Sequence, residues 1–295
     1  MGIFQNCKRK AAPAKNFNEG DTSVTVQFVS DESFAPILDQ ELYVFKNDYP
    51  GATPTIIYRS ESDALKLLVT DSVNFAFLSR ALTLAEIKAL KEHNLTPVVS
   101  KFATDAVAII VNIASTDTTI SVSEIKKMLN GQAKTEKNIV FDNPNSSLVR
   151  YLKDFTGQKE FKQKNIYALK SNKEVIQYVS KHPEAIGITG FSWLDDPDAD
   201  YADAVKNIKI VAVKDENNKS APGQYFKPSQ TTLSLDQYPM KRDLFIVNCL
   251  GSKKGLGAEF EHFIVTDKGQ RIILRSGLLP ANIPTREIVT HSNKL

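Results

Sequence analysis

The feature that most constrains this chain is a unit it repeats: a short apolar strand runs into a few small polar residues and opens directly into a helix. The clearest copy is Asn138–Gly157. Ile139-Val140-Phe141 reads as a strand, and Asp142-Asn143-Pro144-Asn145-Ser146-Ser147 supplies N-cap chemistry. Leu148, Leu152 and Phe155 then recur at helical spacing, and Gly157 marks the stop. Upstream, strand Thr22–Val29 leads through Ser30–Ser33 to a helix with Ile37, Leu38, Leu42 and Phe45 on one face, and Ser33 is placed as its cap. Strand Thr55–Tyr58 leads through Arg59-Ser60-Glu61-Ser62 to a helix carrying Ala64, Leu65, Leu68 and Val69. Strand Val73–Leu78 ends at Ser79-Arg80, and Thr83 caps a helix with Leu84, Ile87 and Leu90. Strand and helix alternating at this spacing predict a parallel, helix-covered sheet. Each exit also aims free backbone N–H groups at one spot, which favours an anion. For any single serine, capping is a sufficient explanation; a ligand site needs several such exits at equivalent strand ends.

Two long strand passages interrupt the pattern. Val98–Val111, broken by Thr104-Asp105, reads as a crossing into a second lobe, and Tyr238–Leu250 as the return. Between them, Ser123 is placed as the cap of a helix with Ile125, Met128 and Leu129. Tyr167–Leu169 reads as a strand, Glu174–Lys181 as a helix, and Ala185–Trp193 as a Gly-bearing strand and turn with Trp193 as a core or hinge aromatic. Asp195–Asp203 and Asp215–Gln224 read as loops. Two closing helices carry Leu256, Phe260, Phe263 and Ile264, then Ile272 and Ile273 after Thr266-Asp267. At 295 residues there is core enough for two lobes.

Several function classes fall away. A net charge of +3 is too small to argue for nucleic acid or membrane binding by bulk electrostatics. No apolar run approaches the ~20 residues that span a bilayer. His93, His182, His262 and His291 lack metal-ligand spacing, so no metal or cofactor is expected. There is no nucleophile elbow or phosphate-binding Walker loop, and Ser147 has no candidate base nearby in sequence, so no catalytic residue is expected. Cys249 sits in an apolar run and reads as a buried small hydrophobe. Cys7 follows a short apolar remnant and precedes a basic Ala/Pro-rich tether, Lys8–Lys15. It reads either as the lipid-bearing Cys of a trimmed lipoprotein or as an incidental thiol in a tail.

Six separated segments, in order, resemble the periplasmic phosphate-binding proteins (PstS type) of ABC uptake systems. They are Ser33-Phe34-Ala35-Pro36, Phe77–Leu82, Asp105–Asn112, Asn172–Gly190, Tyr238–Leu244 and Phe260–Pro280. The resemblance runs from about Val24 to Pro284. It implies a two-lobed α/β fold of the type II periplasmic-binding-protein kind: each lobe a helix-covered mixed sheet, with two crossing strands as the hinge. Lobe 1 would comprise 22–103 and 237–295 and lobe 2 would comprise 104–236, after an N-terminal tail of 1–21. It also implies a monomeric, non-enzymatic protein of the periplasm or cell envelope that captures phosphate or a similar oxyanion for a membrane transporter permease. An envelope accessory or scaffold protein with a degenerate site is one rival expectation; an enzyme acting on phosphorylated substrates, with only the anion-cradling turns in its favour, is another.

Carried over residue by residue, the resemblance implies ligand contacts from Ser33 and the backbone of Phe34, from Ser60 and Ser62 in the second turn, and from Asn145, Ser146 and Ser147 in the third. Arg59 and Arg80 are the nearby cations. The departures are specific. Phe141 stands where the family has Arg, Ser146 where it has Gly, and Arg80 where many members have an Asp that accepts the proton of hydrogen phosphate. The glycines of the second turn are gone. Asp31, Glu32, Glu61 and Asp63 flank the turns; facing the cleft they would repel an anion unless protonated or paired, and on a solvated face they would complement helix dipoles.

Overall fold

The computed structural model describes residues 25–133, 136–251 and 253–284. In chain order, β1 (Thr25–Asp31) runs through a 3-10 turn (Glu32–Phe34) into α1 (Ala35–Asp48), followed by β2 (Thr53–Arg59), α2 (Glu61–Val69), β3 (Phe75–Leu78) and α3 (Leu84–Glu92). Then come β4 (Val98–Asn112), β5 (Thr119–Ser121), α4 (Val122–Leu129), β6 (Asn138–Phe141), α5 (Ser147–Thr156), β7 (Ile166–Ala168), α6 (Asn172–Lys181) and β8 (Ala185–Gly190). The remainder is α7 (Ser192–Asp195), α8 (Ala202–Lys206), β9 (Ile208–Ile210), β10 (Ala212–Lys214), α9 (Gln230–Ser234), β11 (Lys241–Asn248), α10 (Leu256–Val265), α11 (Asp267–Arg275) and β12 (Leu279–Pro280).

The main sheet runs β2-β1-β3-β11-β4-β8-β6-β7. Its two flanks are parallel, β2-β1-β3 on one side and β8-β6-β7 on the other. Antiparallel β11 and β4 join them. β4 is the crossing strand expected from the sequence, but Thr104-Asp105 does not break it. Its first part, through Ala106, pairs with β11, and from Val107 onward it pairs with β8. The polar pair marks where the strand changes halves.

Alternation along each strand builds the two faces. Phe28 on β1 joins an aromatic cluster beneath α1 and α10, 4.9 Å from Phe75, 5.5 Å from Phe77 and 5.2 Å from Phe260. Its neighbour Val29 faces the other way, into a second cluster with Ala64, Leu68 and Leu78 under α2. In the other half, Ile110 and Val140 lie beside Gly187 on the face that meets Val179 of α6, while Ile109 and Ile188 turn to the opposite face. Gly187 on β8 has no room for a side chain, since a Cβ there would lie 2.7 Å from Val179.

Three local expectations need correcting. Ser33 does not cap the first helix: Asp31 caps the 3-10 turn that leads into it, its carboxylate accepting the Ser33 N–H, and α1 itself has Phe34 at its N-cap with no side-chain cap. Ser123 lies inside α4, and Ser121 caps it, because only Ser121 and Glu124 have the reciprocal three-residue spacing of a capping box. The 195–203 stretch is not all loop; the end of α7 and the start of α8 fall in it. Gly157 does end α5, in the left-handed conformation at φ 71°.

Candidate functional site

The exits of β1 and β6 lie in opposite halves of the sheet, and their helix starts meet at one side chain. Asp31, the last residue of β1, is buried. Its Oδ1 accepts the Ser33 N–H at 2.9 Å. The same carboxyl group accepts the Ser147 N–H at 3.0 Å through Oδ2 and the Ser147 hydroxyl at 3.0 Å through Oδ1. The orphan N–H groups of two helix starts therefore share one carboxyl group, where unsatisfied donors and the helix dipole favour negative charge.

A second carboxyl group stands beside it. Asp142 directly follows β6, accepts from the hydroxyls of Ser146 at 2.5 Å and Ser33 at 3.3 Å, and accepts from Asn172 Nδ2 at 3.1 Å. Burial, reinforced by the charge of Asp31, pushes the Asp142 carboxyl well above the usual range. Asn172, the first residue of α6, also reaches Glu32 at 3.2 Å and fixes its own amide oxygen on Thr189 Oγ1 and the Gly190 N–H. Burial raises the Glu32 carboxyl to about 7, with the Asn172 hydrogen bond opposing the shift.

The cation at the centre is Arg242. It lies directly opposite Asp105 in the β11–β4 ladder, and its Nε and Nη2 hold Asp105 at 3.0 and 2.9 Å. Nη1 donates to Ser147 Oγ at 2.9 Å, and the guanidinium lies 4.9 Å above the centre of the Phe34 ring. Gly190 leaves it space, since a Cβ there would sit 3.2 Å from Nη2. Trp193 completes the wall by donating its indole N–H to the Ser33 carbonyl at 3.0 Å.

The other expected residues fall around this centre. Ser60 caps α2 through the Asp63 N–H. With Asp31, Arg59, Asp142, Ser146 and Lys170 it lines a cavity of about 290 Å³. The second and third turns touch directly, the Ser62 N–H and hydroxyl both donating to the Asn145 carbonyl at 3.4 and 3.3 Å. Arg59 donates to the neighbouring Tyr58 carbonyl. Arg80 is committed elsewhere: its guanidinium forks onto Glu86 at 2.9 and 2.7 Å and lies 3.7 Å from Glu61. Arg150 on α5 bonds to Glu61 and donates to Ser79 at 2.6 Å, tying the halves together a second time. Cys7 lies outside the described residues. A roomier groove of about 530 Å³ opens beside Trp193, between Tyr43 and Tyr58, and takes in none of the turn serines.

Sequence reasoning passed over Asp142, Asn172, Arg150, Arg242 and Asp105 as site residues. Asp105 and Arg242 did carry a signal, being charges of opposite sign set in or beside the long strand passages; such residues are seldom buried unless paired. Asp142 carried little, because an Asp in a polar strand exit reads equally well as a turn residue.

Comparison with known proteins agrees with this architecture. A family model described as a PBP superfamily domain matches residues 16–268. A phosphate-binding protein PstS of Staphylococcus haemolyticus is 26% identical over 250 residues, covering 80% of this chain and 75% of that protein. A phosphate-binding protein PstS of Borreliella burgdorferi is 25% identical over 293 residues, covering 94% of each. Among solved structures, a Clostridium perfringens ABC transporter substrate-binding protein with bound phosphate superposes with a TM-score of 0.72 at 19% identity, covering 88% of this chain and 100% of that one. With the family model spanning most of its length and the same two-lobed fold, the chain belongs to the PBP superfamily.

Proposed function

We propose that this chain is an extracytoplasmic solute-binding protein that captures phosphate or a similar small oxyanion between two lobes and delivers it to an ABC-type transporter. The observation that carries this reading is the convergence of the Ser33 and Ser147 amides, from opposite halves, on one negatively charged position. The names of the two curated relatives point the same way. The ligand set comprises the amides of Ser33 and Phe34 and the side chains of Ser33, Ser60, Ser62, Asn145, Ser146 and Ser147. Arg59 supplies charge at the rim; Arg80, held by Glu86, belongs to the set only if it lets that partner go. Lobe 1 takes in 22–103 and 237–295, and lobe 2 takes in 104–236. The protein works as a monomer, without catalysing a reaction, tethered through a lipid on Cys7 and docking on a permease.

The test is a thermal-shift panel of phosphate, sulfate, molybdate and small carboxylates on protein unfolded and refolded to strip any retained ligand. At a hundred times Kd, phosphate should stabilise the fold by about 2.7 kcal/mol. A second reading, an envelope scaffold with a degenerate site, is favoured by one observation: Asp31 and Asp142 already hold the donors an anion would use. No shift with any anion would select it.

A further inference from the structure

The donors at the centre are not idle. The Ser33 N–H, the Ser147 N–H and the Ser147 hydroxyl all point at Asp31. The Ser33 and Ser146 hydroxyls point at Asp142. A carboxylate offers the same paired oxygens as one edge of a tetrahedral oxyanion, and charge-assisted bonds of this kind are the strong ones. Two negative groups cannot share the same two amides at hydrogen-bond distance.

We infer that Asp31 is a built-in competitor for the anion site. Capture then proceeds by exchange: the Asp31 side chain first turns aside, and the incoming oxyanion takes the two amides and the Ser147 hydroxyl that it has left. The inference rests on the phosphate-capture reading above and adds the residue that sets the affinity of that site. Two observations support exchange over permanent blockage. Asp31 borders the cavity of about 290 Å³, so a displaced carboxyl group has somewhere to go. Arg59 from one half and Lys170 from the other border the same cavity, and neither makes an ion pair among those of the described residues. Glu32, Asp63 and Asp142 line the cavity too, so these two cations are the groups in it that would meet an arriving anion and receive the displaced Asp31. Selectivity follows: the ligand must be a better acceptor than a carboxylate, which favours phosphate over acetate or formate.

The experiment compares phosphate binding by the full chain and by Asp31→Asn and Asp31→Ala, using calorimetry on refolded protein, with Asp39→Asn as a control for the same charge change on α1. Both Asp31 variants should bind phosphate on the order of tenfold tighter than the unsubstituted protein, the scale of one lost charge-assisted competitor. The control should match the unsubstituted protein. Tighter binding by the variants where the unsubstituted protein binds nothing supports the competitor and overturns the capture reading for the natural chain. Equal or weaker binding by folded variants overturns the competitor and leaves the capture reading standing. No binding by any folded protein overturns both. If neither variant folds, stopped-flow fluorescence of the natural chain decides, because Trp193 is its single tryptophan and its indole bonds the Ser33 carbonyl. An observed rate that saturates with phosphate supports release of Asp31 before capture; a rate that stays proportional to phosphate overturns it.

Discussion

Asp31 and Ser147 are 116 residues apart in sequence, yet the carboxyl group of one accepts both the backbone N–H and the hydroxyl of the other at 3.0 Å. The Ser147 hydroxyl in turn accepts a hydrogen bond from Arg242. Ser147 thus links the exit of β1 to β11, whose Arg242 in turn holds Asp105 of β4. Ser147→Ala keeps the N–H and removes the hydroxyl, leaving one buried guanidinium N–H without its acceptor. We expect a loss of about 1–3 kcal/mol of stability, with the fold retained. Phosphate affinity should fall on the order of tenfold in calorimetry, since the ligand loses a hydroxyl partner.

Arg150→Met probes the second tie between halves. The Glu61 side chain is only 3% exposed and accepts from Arg150 and from Ser79. Removing Arg150 leaves a buried carboxyl group with Arg80 3.7 Å away as its remaining cation. Breaking a buried pair costs about 3–5 kcal/mol, and the low end is expected here because Arg80 and Ser79 remain. Urea denaturation should show the loss, and Glu61→Gln in the same chain should recover part of it. Full additivity of the two substitutions would contradict a direct pairing.

Much of the fold was legible because local signals and long-range packing agree. The exits at Ser33, Ser60 and Ser147 could be read as helix starts from chain-local chemistry, and the crossings from the length of Val98–Asn112 and of the passage around β11. The occupancy of the site was not legible. Whether Asp31 faces solvent or the cleft depends on the placement of Ser147, which a strand exit does not reveal. The cap at Ser33 failed because its N–H is already held by the Asp31 carboxylate two residues earlier and its hydroxyl donates to Asp142 across the halves, which a local reading does not reveal. Arg80 looked free as a ligand cation, but the capping Glu86 of α3 faces it at close range.

Cys249 should be inert in the native state. It is 1% exposed, and burial, with Asp71 nearby, raises its thiol to about 11. With Cys7→Ser in place, a disulfide reagent at pH 8 should modify Cys249 only as fast as the protein unfolds, because the thiolate is the reacting form. Rapid stoichiometric labelling of the folded protein would refute the burial.

Glu41 gives the sharpest pH prediction. It lies on the buried stripe of α1 between Ile37 and Phe45, is fully buried, and neither carboxyl oxygen has a hydrogen-bond partner among the described residues. Burial pushes its carboxyl up to about 9, against about 4.3 for an unfolded Glu. Glu32 shifts the same way, to about 7. Between the unfolded and folded values the native protein holds more protons than the unfolded chain. Stability contributed by these groups is therefore greatest below about pH 4.3 and declines as pH rises, for Glu32 until about 7 and for Glu41 until about 9. Melting temperatures measured from pH 5 to 9 should fall more steeply in the natural chain than in Glu41→Met. The substitution fills the same space with an apolar side chain and should raise stability near neutral pH by about 1–3 kcal/mol. A Glu41→Met protein whose melting curve tracks the natural one at every pH would mean that Glu41 has found a partner, and that the first helix is anchored by charge rather than by packing alone.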